Sequence, residues 1–142
     1  MKTIVARTLT IILFLLAMIH FYWALGGQWG FKNALPTNEQ GIQILNPKTI
    51  DSIMIGTVML LFGLFYLFSL RLLKIKILIL IQNVGFWVIP MIFVARAIGD
   101  FKYVGFFKQI KGTVFANLDT MFYSPLCLII SLIGILLIKL KK

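Results

Sequence analysis

Cysteine and histidine each occur once in this chain of 142 residues, and proline and acidic residues number only four each. The single Cys127 rules out an intrachain disulfide and a Cys-rich metal site, and the single His20 rules out a multi-histidine one, so no metal site is expected. Charge is scarce too, at 13% of residues where a soluble domain carries about a quarter. Apolar residues take up the difference: 61% of the chain is hydrophobic and the mean hydropathy is +1.00. This balance excludes both a disordered tail and an ordinary soluble domain.

The apolar residues gather in four stretches, which predict transmembrane helices at about 4–25, 53–70, 75–97 and 124–140. The expected fold is an all-α integral membrane protein, one four-helix bundle made by residues 1–142. At about 1.5 Å per residue the first three stretches cross a hydrocarbon core of about 30 Å, whereas the fourth apolar run, 126–140, reaches only about 22 Å. It must borrow from residues 119–125, where Ser124 before Pro125 reads as an N-cap with proline in the first helical position. Cleavage of the first stretch as a signal peptide is disfavoured. The run is longer than a signal core, and the bulky His20, Phe21, Tyr22 and Trp23 sit where small residues should approach the cut.

The 14 Lys and Arg against four acids give a net charge of +10, and the excess is one-sided. Lys2, Arg7, Arg71, Lys74, Lys76, Lys139, Lys141 and Lys142 border the stretches on one side with no acid among them. The other side holds Lys32, Lys48, Lys102, Lys108 and Lys111 together with all four acids. Basic residues hold loops in the cytoplasm and meet anionic headgroups, so both termini and the short basic connection 71–76 are expected inside, with loops 26–49 and 98–123 outside. Membrane lipids are the expected partners, and nucleic acid is not, since no basic fold presents these charges. The oligomeric state is left open.

Small residues mark the packing faces. Ser52, Gly56 and Gly63 form one stripe and Cys127, Ser131 and Gly134 another, and helices in lipid meet where small side chains let backbones approach. The third stretch is the polar one, with Gln82, Asn83, Trp87, Pro90 and Arg96. Gln82 and Arg96 are 14 residues apart, which puts them within about 40° of each other around the helix. Loop 98–123 mixes aromatics with Lys102, Lys108 and Lys111, a composition suited to the membrane interface.

Ionisable groups inside a bundle are costly, which makes them functional candidates by default. His20, Arg96, Asp100 and Asp119 share one depth in the expected topology. His20, Asp100 and Asp119 are the candidate proton-transfer residues of a catalytic site, and Arg96, Tyr22, Trp23, Trp29 and Tyr123 the candidate ligand-binding ones. Each has a plainer reading: a His20 satisfied by backbone, an Arg96 that snorkels, a belt of interfacial aromatics. Arg96 is expected to pair with Asp100 or Asp119, and His20 to face a cavity roofed by Trp23, Trp29 and residues 101–107.

Three strings carry a resemblance: His20-Phe21-Tyr22-Trp23-Ala24-Leu25-Gly26-Gly27-Gln28-Trp29-Gly30, Arg96-Ala97-Ile98-Gly99-Asp100-Phe101-Lys102-Tyr103-Val104-Gly105-Phe106-Phe107, and Asp119 with Tyr123-Ser124-Pro125-Leu126. With them the chain resembles, over nearly its whole length, a family of small bacterial four-helix membrane proteins catalogued as domain of unknown function 3995. The resemblance implies a multi-pass protein of the bacterial inner (plasma) membrane, and no activity, substrate or cofactor. Three functions compete: a membrane enzyme acting on a lipid-like or other hydrophobic small molecule, a non-catalytic binding or transport protein for such a molecule, and an accessory subunit whose polar residues fix helix register.

Overall fold

The computed structural model describes residues 1–69 and 76–141, of which 76–79 and 141 are described by backbone alone. Five α-helices follow one another: α1 (Lys2–Ala24), α2 (Thr49–Ser69), α3 (Lys76–Ile98), α4 (Val114–Leu118) and α5 (Ser124–Lys141). A π-helical turn, Asp119–Tyr123, joins α4 to α5, and a short 3-10 turn, Lys32–Ala34, lies in the first long loop. Among the described residues there are four helical runs long and apolar enough to cross a membrane: α1, α2, most of α3, and the continuous run from α4 through α5. The chain is thus an all-helical membrane protein with four spans. The basic connection 71–76 falls, apart from the backbone of Lys76, outside the described residues, as does Lys142.

Neighbouring spans run antiparallel. Gly56 of α2 packs on Phe21 and His20 of α1, and Gly63 packs on Phe14 and Leu13, so numbers rise on one helix as they fall on the other. Gln82 Nε2 of α3 donates to the Ser69 carbonyl of α2 at 3.2 Å, and Gly134 of α5 packs on Pro90 of α3. The extensive interfaces are α1 with α2 and α3 with α5; α1 also packs on α5, and α2 only lightly on α3, closing a four-membered ring. Leu9, Leu13, Tyr66, Phe86, Ile130 and Leu137 fill its centre. Outward faces carry exposed Ile11, Leu15, Leu61, Val88 and Leu132, the arrangement that lipid as solvent requires.

The stripe on α2 behaves as expected. Ser52, Gly56 and Gly63 are all buried, and a Cβ at Gly56 would stand only 3.1 Å from the Phe21 ring. Close approach also lets Thr10 Oγ1 reach the Gly63 carbonyl at 3.3 Å besides its own Ala6 carbonyl at 3.0 Å.

Helix α1 stops because Gly26 takes a positive φ of 92°. The Gly27 amide then bonds the Tyr22 carbonyl at 2.9 Å and the Gly26 amide bonds that of Trp23 at 3.0 Å, the paired bonds of a Schellman ending. At the start of α2, the Asp51 carboxylate accepts the Lys48 amide at 2.7 Å, one half of a capping box.

The fourth span departs from the expected pattern. Its helix begins at Val114, capped by Thr113, whose Oγ1 accepts the Ala116 amide at 3.1 Å. Ser124 is no N-cap: its backbone is helical at φ −68° and ψ −43°, and its amide bonds back to the Asp119 carbonyl, five residues earlier. The wide turn makes room for the Pro125 ring, which in a regular α-helix would press on the carbonyl of Met121. At 27 residues, 114–140 measures about 40 Å, so the span that looked short is long enough with residues to spare.

Candidate functional site

Asp119 sits in the π turn and is completely buried. A carboxylate that far from water must be compensated, and three donors do it. Arg96 Nη2 of α3 approaches Oδ1 at 2.9 Å; Lys108 Nζ and the Gly105 amide approach Oδ2 at 3.0 and 2.8 Å. Arg96 therefore pairs with Asp119 and not with Asp100, the i,i+4 neighbour. The first of these bonds ties α3 to the fourth span, and the other two tie down the loop between them.

Lys108 is the member of this cluster that sequence reasoning placed in an interfacial segment and did not single out. Only 3% of it is exposed. Its three N–H bonds are all used, on the Gly105 carbonyl at 2.9 Å, Asp119 Oδ2 at 3.0 Å and Thr120 Oγ1 at 2.7 Å. One signal in the sequence could have found it: the fold must compensate one buried acid, and Lys108 is a lone cation between Phe106-Phe107 and Ile110. Arg96 differs. Its side chain is 35% exposed, and its Nη1 is buried with no hydrogen-bond partner.

The loop that delivers Lys108 is folded by glycine and by Asp100. Gly99 and Gly105 both have φ near 90°, and their backbones cross so closely that a Cβ on either would collide with the other strand, at the Val104 or the Ile98 carbonyl. Asp100 Oδ1 accepts the amides of Lys102, Tyr103 and Val104 at 2.9, 2.7 and 2.9 Å. Partial burial works against this carboxylate's charge, yet the backbone N–H bonds outweigh it and hold Asp100 below the usual carboxylate range. Phe101 and Phe107, both well exposed, form an apolar rim with the rings 6.4 Å apart.

His20 belongs to another group. Its Nδ1 bonds the Leu16 carbonyl one turn back at 2.9 Å, and its ring meets Trp23 edge-on at 5.0 Å. Trp23 in turn donates its indole N–H to the Trp29 carbonyl at 2.8 Å and packs on Phe31 at 5.6 Å. Tyr22 covers Gly27, and the Trp29 ring itself is 76% exposed. Among the described residues no hydrogen bond, ion pair or ring contact joins His20 to Arg96, Asp100 or Asp119, and none joins Trp23 or Trp29 to residues 101–107. A surface groove beside this aromatic group is lined by Gln28, Gly30, Lys32 and Asn33.

Tyr123 lies with the ionic cluster. It closes the π turn that Asp119 opens and packs on Phe115 at 6.2 Å. Of the candidate residues, the structure therefore assembles Arg96, Asp119 and Tyr123, adds Lys108, and leaves His20, Tyr22, Trp23 and Trp29 as a separate aromatic group at the end of α1. Among the described residues no three His, Cys, Asp or Glu side chains come together as metal ligands.

No curated protein and no solved structure matches the chain. Residues 13–134 match the profile of a family described as protein of unknown function (DUF3995). That stretch covers the second and third spans whole, parts of the first and fourth, both long loops and every member of the ionic cluster, and the chain belongs to this family.

Proposed function

We propose that this is a multi-pass protein of the bacterial cell membrane, with both termini in the cytoplasm, that binds a hydrophobic, lipid-like molecule at Arg96 without transforming it. The observation that carries the reading is the division of labour in the cluster. Lys108 and Asp119 have spent their hydrogen-bonding capacity on each other and on the loop, while Arg96 keeps unused donors and partial exposure. Tyr123 and the exposed Phe101 and Phe107 supply apolar surface at this end of the bundle for the rest of such a molecule.

A catalytic role has less support. Proton transfer needs an acid or base within reach of a second group, and Asp100 and Asp119 are engaged with backbone amides and cations while His20 is bonded within its own helix. The test is retention of co-purifying hydrophobic molecules by detergent-solubilised protein, read by mass spectrometry. Arg96→Gln should lose them while its helical content stays that of the parent, even though loss of the pair with Asp119 lowers the thermal midpoint. Equal retention by the two proteins would remove Arg96 from any binding role.

A further inference from the structure

We infer that the group held at Arg96 is an anionic oxygen group, a phosphate or carboxylate carried by an amphiphile. The inference rests on the binding role just proposed and names its ligand class. Two cations, Arg96 and Lys108, share one carboxylate, Asp119, so the cluster carries one positive charge in excess. Asp100, the next acid along the chain, turns its Oδ1 to three loop amides and forms no ion pair among the described residues. The excess falls to Arg96, whose side chain is partly exposed, and an anion would compensate it where a neutral ligand would not.

Hydrogen bonding points to the same cation. Lys108 has no N–H left, since Gly105, Asp119 and Thr120 take all three. Arg96 gives Asp119 one bond from Nη2 and has none from Nη1, a buried donor without an acceptor. The guanidinium is a planar fork whose geometry matches two oxygens of one phosphate or carboxylate. About a third of the side chain is exposed, so part of Arg96 is open to a ligand while Nη1 itself is covered. Two sources share this chemistry, the headgroup of a membrane phospholipid and free phosphate.

The experiment is a titration of the whole chain in neutral detergent with three probes: short-chain phosphatidylglycerol, diacylglycerol of the same chain length, and inorganic phosphate. The parent should bind phosphatidylglycerol at least about tenfold more tightly than diacylglycerol, as a charge-assisted bond requires. That preference should shrink as salt is raised and vanish in Arg96→Gln, while Lys102→Gln, at an exposed lysine of the same loop, should keep it. Competition by inorganic phosphate would make the phosphate group alone sufficient; its absence would make the lipid the ligand.

If diacylglycerol binds as tightly as phosphatidylglycerol, and through Arg96, the binding role stands and the anionic class is wrong. If no probe binds in an Arg96-dependent way, both fall. Should Arg96→Gln fail to fold, Arg96→Lys keeps the ion pair with Asp119 and loses the fork. It should fold and bind phosphatidylglycerol several-fold more weakly than the parent; unchanged affinity, or a preference in the parent indifferent to salt, would overturn the inference.

Discussion

The two halves of the bundle are held together by different physics. Between α1 and α2 the contact is glycine against aromatic ring, Gly56 on Phe21 and Gly63 on Phe14, with Thr10 as the polar link. Between α3 and the fourth span, Gly134 on Pro90 does similar work at one level, but near the loops the join is ionic, Arg96 to Asp119 with Lys108 behind it. Small residues suffice where both helices need only come close. Charge is used where a loop must also be fixed, because Asp119 can bond α3 and the loop at once and a glycine cannot. The cost is that the second half depends on one buried carboxylate.

That dependence sets the largest expected effect. Asp119→Leu leaves Lys108 buried and unpaired, which should cost about 3–5 kcal/mol, measured as a lower midpoint of denaturant unfolding in detergent. Residues 99–112 should become open to proteolysis in the same variant. A smaller loss, or a loop still resistant, would show that the cluster adds little to the glycine packing.

Next in size is Gly63→Leu in the other half. A Cβ there already runs into the Phe14 ring, so the longer side chain should cost about 1–3 kcal/mol and part α1 from α2. Ligand retention at Arg96 should survive it, since no member of the cluster touches this interface. Gln82→Leu should matter less, by under about 1.7 kcal/mol in the same unfolding measurement, as is typical of interhelical hydrogen bonds in lipid.

The smallest effect is a pH dependence confined to the loop. Asp100 is held below its ordinary value of about 3.9, so its contribution is complete above that pH and is lost as the pH falls through the lower value of the folded protein. Protection of the Lys102, Tyr103 and Val104 amides, taken relative to the intrinsic exchange rate at each pH, should therefore hold in neutral and mildly acidic solution and be lost only in strong acid. Loss of protection already at pH 5 would mean that the carboxylate is not what organises the loop.

The four spans were legible because apolar stretches of this length have few other readings. That Arg96 pairs with Asp100 or Asp119 was legible because membrane depth narrows the choice of partner for a charge; which of the two was not. Lys108 was harder to read: its place between Phe106-Phe107 and Ile110 is a weak signal, and the crossing of Gly99 over Gly105 that folds its loop is a contact that no local pattern announces. The helix of the fourth span starts earlier than the Ser124-Pro125 signal predicts for a related reason. Ser124-Pro125 has the better local capping signal and Thr113 the weaker one, and the tertiary bonds of Asp119 favour the longer helix. His20 looked like part of the ionic group when judged by depth alone, and its bond to Leu16 is a feature that helical sequence permits without requiring.

The π turn also sets the phase between two jobs done by one helix. At its first residue Asp119 must point at Arg96 and the loop; downstream, Ile130, Gly134 and Leu137 must point at the bundle centre. One further residue between these points rotates one set against the other by about 100°. An insertion beside Met121, whose side chain is 80% exposed and touches little, would therefore aim the ionic cluster and the packing face in incompatible directions. Substitution at that position should be nearly silent, so this stretch tolerates changes of spelling and not of length.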